Sequence, residues 1–233
     1  MFSSIVWGIA TIMTLYVTVG VYMPKLRNRI HKNKESSWTE NCENARVTTD
    51  TSFSRKYLFV ILLCIFAACV CGFRVEADVS SMLVNLKICL GYCVLCGIVI
   101  TDLEYMTIPN CYVGILFIGR VCALIVEAIM EPEIVFIRLI SSVIVCVLCF
   151  LILFIVAKIA KGGLGEGDIK LFCGLAFLCG FYITIYTLVF ACFVCGLVSI
   201  FLLLFKIKSL KDAVPMGPFI LIGYIVTILL AVY

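Results

Sequence analysis

The sequence predicts an all-α fold, a polytopic integral membrane protein of about eight transmembrane helices. Apolar types make up 64% of the 233 residues and charged types only 14%, whereas about a quarter of a soluble domain is charged. The mean hydropathy is +1.21. The apolar residues gather into runs near the roughly 20 residues that cross about 30 Å of hydrocarbon. In a medium without water, helices are how such runs satisfy their backbone groups. This composition excludes a soluble enzyme, a disordered regulator and a DNA-binding module.

Phe2–Met23 is the first run. It is rich in Thr and Tyr, lacks a basic start and has no small-residue cleavage site, so it reads as a span and not a removable signal. Tyr57–Phe73, Val79–Thr101, Cys111–Met130 and Ile134–Ala160 follow. Leu171–Phe205 then runs 35 residues without a charge, with Lys170 before it and Lys206, Lys208 and Lys211 after it. One crossing would part these lysines; a hairpin keeps them on one side. Gly180 is the predicted turning point, leaving a short first arm. Pro218–Tyr233 completes the eight. The chain thus divides into a first span (1–23), a basic loop (24–56) and a membrane-embedded core (57–233).

Lys and Arg set the orientation. Loop 24–56 and the edges at Lys158, Lys161, Lys170, Lys206, Lys208 and Lys211 hold fourteen of the eighteen basic residues, all on one side once faces alternate. That side is predicted to be cytoplasmic in a cell membrane, with both termini outside. The loop is too short for a sizeable core. Its basic stretch from Lys25 to Lys34 is expected on anionic lipid headgroups. The run is short and lacks interleaved aromatics, so no nucleic acid is expected as a partner.

Fifteen cysteines include three CxxC spacings, Cys93/Cys96, Cys146/Cys149 and Cys192/Cys195. Each pair lies inside an apolar span, where cysteine behaves as a small hydrophobe. A structural zinc site needs four convergent ligands, and the sole histidine is the distant His31. No metal site is expected, and the odd count forbids complete disulfide pairing.

Acidic residues at membrane depth are costly and therefore candidates for function. Asp102 ends the third span in Thr101-Asp102-Leu103-Glu104-Tyr105-Met106-Thr107-Ile108-Pro109-Asn110, where Pro109 suits the first turn of the next helix. Asp168 closes Gly162-Gly163-Leu164-Gly165-Glu166-Gly167-Asp168 and opens the sixth span. Both fall at the same predicted depth. Each acid alone has a plain reading, Asp102 as an interfacial acid and Asp168 as a helix N-cap with glycines for packing. Two facing carboxyls without a metal are the apparatus of aspartic proteolysis: they share a proton, one activates water and the other donates to the carbonyl oxygen. Gly163, Gly165 and Gly167 leave room for an extended substrate backbone. Helix-end dipoles suggest that Asp168, at an N-terminus, ionises first and that Asp102, near a C-terminus, holds the proton.

These segments resemble the type IV prepilin leader peptidases, GxGD-type membrane aspartic proteases. The first motif matches as Asp102 with Ile108-Pro109-Asn110. The second matches as Gly165-Glu166-Gly167-Asp168-Ile169-Lys170. Val214-Pro215-Met216-Gly217-Pro218-Phe219 looks like the family's signature before its last helix. The resemblance implies Asp102 and Asp168 as the catalytic pair, and removal of a short basic leader from prepilin or pseudopilin precursors at the cytoplasmic face. It implies no cofactor for that cleavage. Glu104 and Glu166 then either draw the leader's basic residues or are ordinary interfacial acids, and Lys170 either orients Asp168 or faces lipid phosphates. Members that also methylate their product carry a longer loop with paired cysteines; loop 24–56 has only Cys42. This is the short form, and S-adenosylmethionine is not expected as a cofactor.

Arg120 and Lys87 fall outside these motifs. Arg120 is expected to pair with Glu127 two turns on, or with a neighbouring helix. The rival functional class is a transporter or proton pathway using Asp102 and Asp168 as ion-binding acids, but such groups usually sit at the bilayer midplane in broken helices.

Overall fold

The computed structural model describes residues 2–18, 64, 65, 68, 79–159, 165–205 and 214–230. The basic loop 24–56, Gly163, Lys161, Lys206, Lys208, Lys211 and Cys42 lie outside these residues. Among the described residues the fold is all-helical: α1 (Phe2–Val17), α2 (Val79–Tyr105), α3 (Asn110–Met130), α4 (Pro132–Ile159), α5 (Glu166–Cys179), α6 (Phe181–Leu204) and α7 (Gly217–Leu229). Four described helices are long and apolar enough to cross a membrane: Met82–Tyr105 within α2, together with α3, α4 and α6.

α2 is the central helix, with every residue from Gly91 to Asp102 buried. It packs on α1, α3, α5 and α7. α4 lies at the periphery: Ser142 and Leu153 are its buried positions, and Phe136, Ile137, Ile140 and Ile144 are exposed. A continuous apolar exterior of this kind suits hydrocarbon, not water. In lipid, close packing of small residues replaces the hydrophobic drive between helices. At Gly223 a Cβ would stand 2.6 Å from the Thr187 carbonyl oxygen and 2.8 Å from the Ala191 nitrogen, so α7 rests directly on the backbone of α6.

The uncharged stretch divides as expected at Gly180. Its φ of 87° and ψ of −177° belong to a region that essentially only glycine enters. α6 then packs chiefly against α7, and its Phe181, Thr184 and Leu188 line one cleft with Cys149 and Leu153 of α4. The first arm is longer than predicted, because the polar residues Glu166–Lys170 form the opening turn of α5. Acidic residues are favoured in a first turn by the helix dipole, and that signal outweighs the change from polar to apolar composition. The boundary after Met130 is set by Pro132, placed first in α4 where its missing N–H is not needed.

Cysteines line the helix contacts: Cys64, Cys89, Cys93, Cys96 and Cys173 are buried as free thiols. Tyrosine hydroxyls add specific ties. Tyr224 donates to the Ile88 carbonyl at 2.9 Å, and Tyr92 donates to the Cys64 carbonyl at 2.5 Å.

Candidate active site

Asp102 is buried at 6% exposure, and α2 continues one turn beyond it to Tyr105. The acid therefore lies inside the helix and does not end it. The helix stops when Met106 takes the left-handed conformation, φ 49°. Its N–H bonds the Asp102 carbonyl at 2.9 Å. Glycine usually fills this capping role, and a side chain there costs about 1–2 kcal/mol. Pro109 also departs from expectation. It is the extended N-cap of α3, with φ −70° and ψ 133°, and its carbonyl accepts from Tyr112 N–H at 3.1 Å. The helix begins one residue later, at Asn110, because proline's fixed φ fits an extended cap as readily as a first turn.

Asp168 is the third residue of α5, not its N-cap. Gly165 is the N-cap, with extended backbone, and its carbonyl accepts from Asp168 N–H at 3.1 Å and from Ile169 N–H at 3.3 Å. The Asp168 carboxylate reaches back to the Gly165 N–H. This is the acid half of a capping box, with glycine where serine or threonine would usually stand.

Two contacts bring the separate segments together. At Gly167 a Cβ would lie 3.2 Å from Ile108 Cβ, so the loop after Asp102 is seated on the first turn of α5. The Gly217 N–H donates to Asp102 Oδ2 at 2.7 Å. A Cβ at Gly217 would stand 3.0 Å from that oxygen and 3.1 Å from Asp102 Cβ. The Met216 N–H also faces the carboxylate. Asp168 lies within reach of the Asp102 charge.

The start of α7 thus meets Asp102 just as the start of α5 carries Asp168. Both acids face a helix N-terminus, and the dipole argument does not assign different roles to them. Tyr112 completes this end of the bundle, its hydroxyl 2.6 Å from Thr18 Oγ1 where α1 finishes.

Residues 89–200, which hold Asp102 and Asp168, match the model of the type IV leader peptidase family. That stretch, 112 of the 233 residues, is what the chain shares with the family. The chain matches no curated protein and no solved structure.

The remaining predicted site residues occupy the same end of the bundle. Glu104, Asn110, Glu166 and Lys170 are exposed, and Gly165 is exposed beside Asp168. Gly163 lies outside the described residues. Gly217 and Met216, which meet Asp102 through their N–H groups, were expected only as part of the Val214–Phe219 segment and not as neighbours of the acid. Their signal was present in Met216-Gly217-Pro218, where a glycine lies directly before a helix-initiating proline. Among the described residues, no three His, Cys, Asp or Glu side chains are arranged to hold a metal ion.

Arg120 pairs with Glu127 as expected, Nη1 to Oε1 at 3.0 Å. Lys87 joins them on the same oxygen at 2.9 Å, and Arg120 Nε–H donates to Ser142 Oγ at 3.2 Å. Lys87 lies fifteen residues before Asp102 on α2, about 22 Å along the helix. This ion-pair group is at the other end of the bundle.

Proposed function

We propose that the protein is an aspartic endopeptidase in which Asp102 and Asp168 act as the catalytic pair. The observation that carries this reading is the seating of Ile108 against Gly167, which sets the loop after Asp102 on the turn that carries Asp168. One proton is shared between them, since neighbouring carboxyls resist double ionisation. The ionised member takes a proton from water as the oxygen attacks the scissile carbonyl. The protonated member donates to the developing oxyanion, and the tetrahedral adduct collapses when the amine leaves with a proton. The Gly217 N–H occupies Asp102 Oδ2, which holds the carboxyl in one orientation for this cycle.

The substrate we propose is a prepilin-like or pseudopilin precursor, cut where a short basic leader meets an apolar helix. The exposed Glu104 and Glu166 supply negative charge beside the pair for such a leader. The excess of Lys and Arg in loops on one side supports a cytoplasmic active site, eight spans and termini outside. Cleavage needs no cofactor on this reading, and methyl transfer is not part of it.

Coexpression with a precursor of basic leader, glycine and apolar helix tests the proposal. Electrophoresis should show a mobility shift with the native protein and none with Asp102→Asn or Asp168→Asn at equal membrane abundance. Processing that persists with either variant would sink it.

A further inference from the structure

Away from the aspartates, a second site is built from residues that proteolysis does not use. A cavity of about 340 Å³ lies between α2, α4 and the turn from α5 to α6, lined by Lys87, Arg120, Arg138, Ser141, Ser142 and Gly180. Three cations and two hydroxyls form its polar wall, and its lining includes no carboxylate. Arg120 is 4% exposed, so its guanidinium has little access to water. Glu127 accepts both Lys87 and Arg120 on one oxygen, Oε1, while its Oε2 is buried without a partner. Arg138 pairs with Glu131. Within this group three cations are thus matched by two carboxylates, with Arg120 buried at the base and the Arg138–Glu131 pair at the exposed rim, and the surplus positive charge favours an anion entering from that rim.

The rest of the lining shows which anion. Ile137 and Leu178 share the wall, and Ile137 leads onto the exposed apolar face of α4 with Phe136, Ile140 and Ile144. A free anion would have no use for that face. An anion carrying acyl chains would set its phosphate among Lys87, Arg120 and Arg138 and lay its chains along α4. Guanidinium groups favour phosphate through paired N–H donors, and the Ser141 hydroxyl adds a neutral donor, while Ser142 donates to the Arg138 carbonyl at 2.8 Å. We propose that this cavity binds the phosphate of a phospholipid headgroup. The site is separate from the aspartate pair and does not depend on the protease reading.

The test uses the full-length protein in a phosphate-free neutral detergent, followed by its thermal midpoint and by native mass spectrometry. The probes are a short-chain phosphatidylglycerol, a monoacylglycerol of equal chain length without phosphate, and inorganic phosphate. The phospholipid should raise the midpoint saturably and remain bound, and the monoacylglycerol should not. Arg138→Gln, at a partly exposed ion pair, should leave the ligand-free midpoint near native and weaken phospholipid binding at least tenfold. Ser141→Val, on an exposed position, should weaken it less. Equal binding by the monoacylglycerol, unchanged affinity in Arg138→Gln, or inorganic phosphate binding as tightly as the lipid would each overturn the assignment.

Discussion

The backbone N–H of Gly217 donates to Asp102 Oδ2 at 2.7 Å, joining positions 115 residues apart. Because the donor is main chain, the contact survives substitution at 217 only if the new side chain fits. A methyl group there would stand 3.0 Å from the same oxygen, a distance that forces the carboxyl or α7 to shift. Gly217→Ala is expected to lower the leader-cleavage rate roughly 10- to 100-fold, the scale of a misplacement near 1 Å. Initial rates on a peptide substrate, compared at equal folded protein, check this. Activity within twofold of native would count against the arrangement.

The seat of Ile108 on Gly167 gives a paired prediction. Gly167→Ala adds a methyl 3.2 Å from Ile108 Cβ, pushing the loop after Asp102 away from Asp168. Cleavage should fall, and Ile108→Ala introduced into the same chain should recover part of it by vacating the space. A double variant no better than Gly167→Ala would mean that the contact does not set the spacing of the acids.

A pair that shares one proton works only in its singly protonated form. The rate should fall on the acid side, where both carboxyls carry protons and none can activate water. It should fall again on the alkaline side, where neither can donate. Single-turnover cleavage across the acid and neutral range is expected to trace a bell. A rate rising to a plateau with pH would indicate one titrating base instead of a pair.

The ion-pair group governs stability. Glu127→Ala leaves Lys87 and Arg120 without their shared carboxylate, and breaking a buried pair in this way costs about 3–5 kcal/mol. The midpoint of thermal unfolding in detergent should drop clearly. Removing all three charges together, with Glu127→Leu, Lys87→Met and Arg120→Met, should restore much of the loss. If the triple variant melts as low as Glu127→Ala, the charges contribute more than mutual neutralisation.

Much of this was legible in the sequence because membrane helices leave long apolar runs and glycine marks the turn at Gly180. The aspartates stood out because each interrupts apolar sequence beside glycine or proline. Arg120 and Glu127 were readable as a pair from their two-turn spacing on one helix. What the sequence hid depends on the register between helices. Lys87 reaches Glu127 only through the packing of α2 on α3, and Gly217 reaches Asp102 through a backbone group that has no residue signature. The dipole argument failed for the same reason. It weighed the end of α2, while the start of α7, more than a hundred residues on, also faces Asp102.

The most direct test of the catalytic pair is the cleavage rate of a purified, lipid-reconstituted protein on a defined precursor, measured for the native chain, Asp102→Asn, Asp168→Asn and the double variant. Residues that act as one unit lose activity together. Each single variant should fall to the same background as the double, with the native fold retained. Substantial cleavage by either single variant would contradict the account.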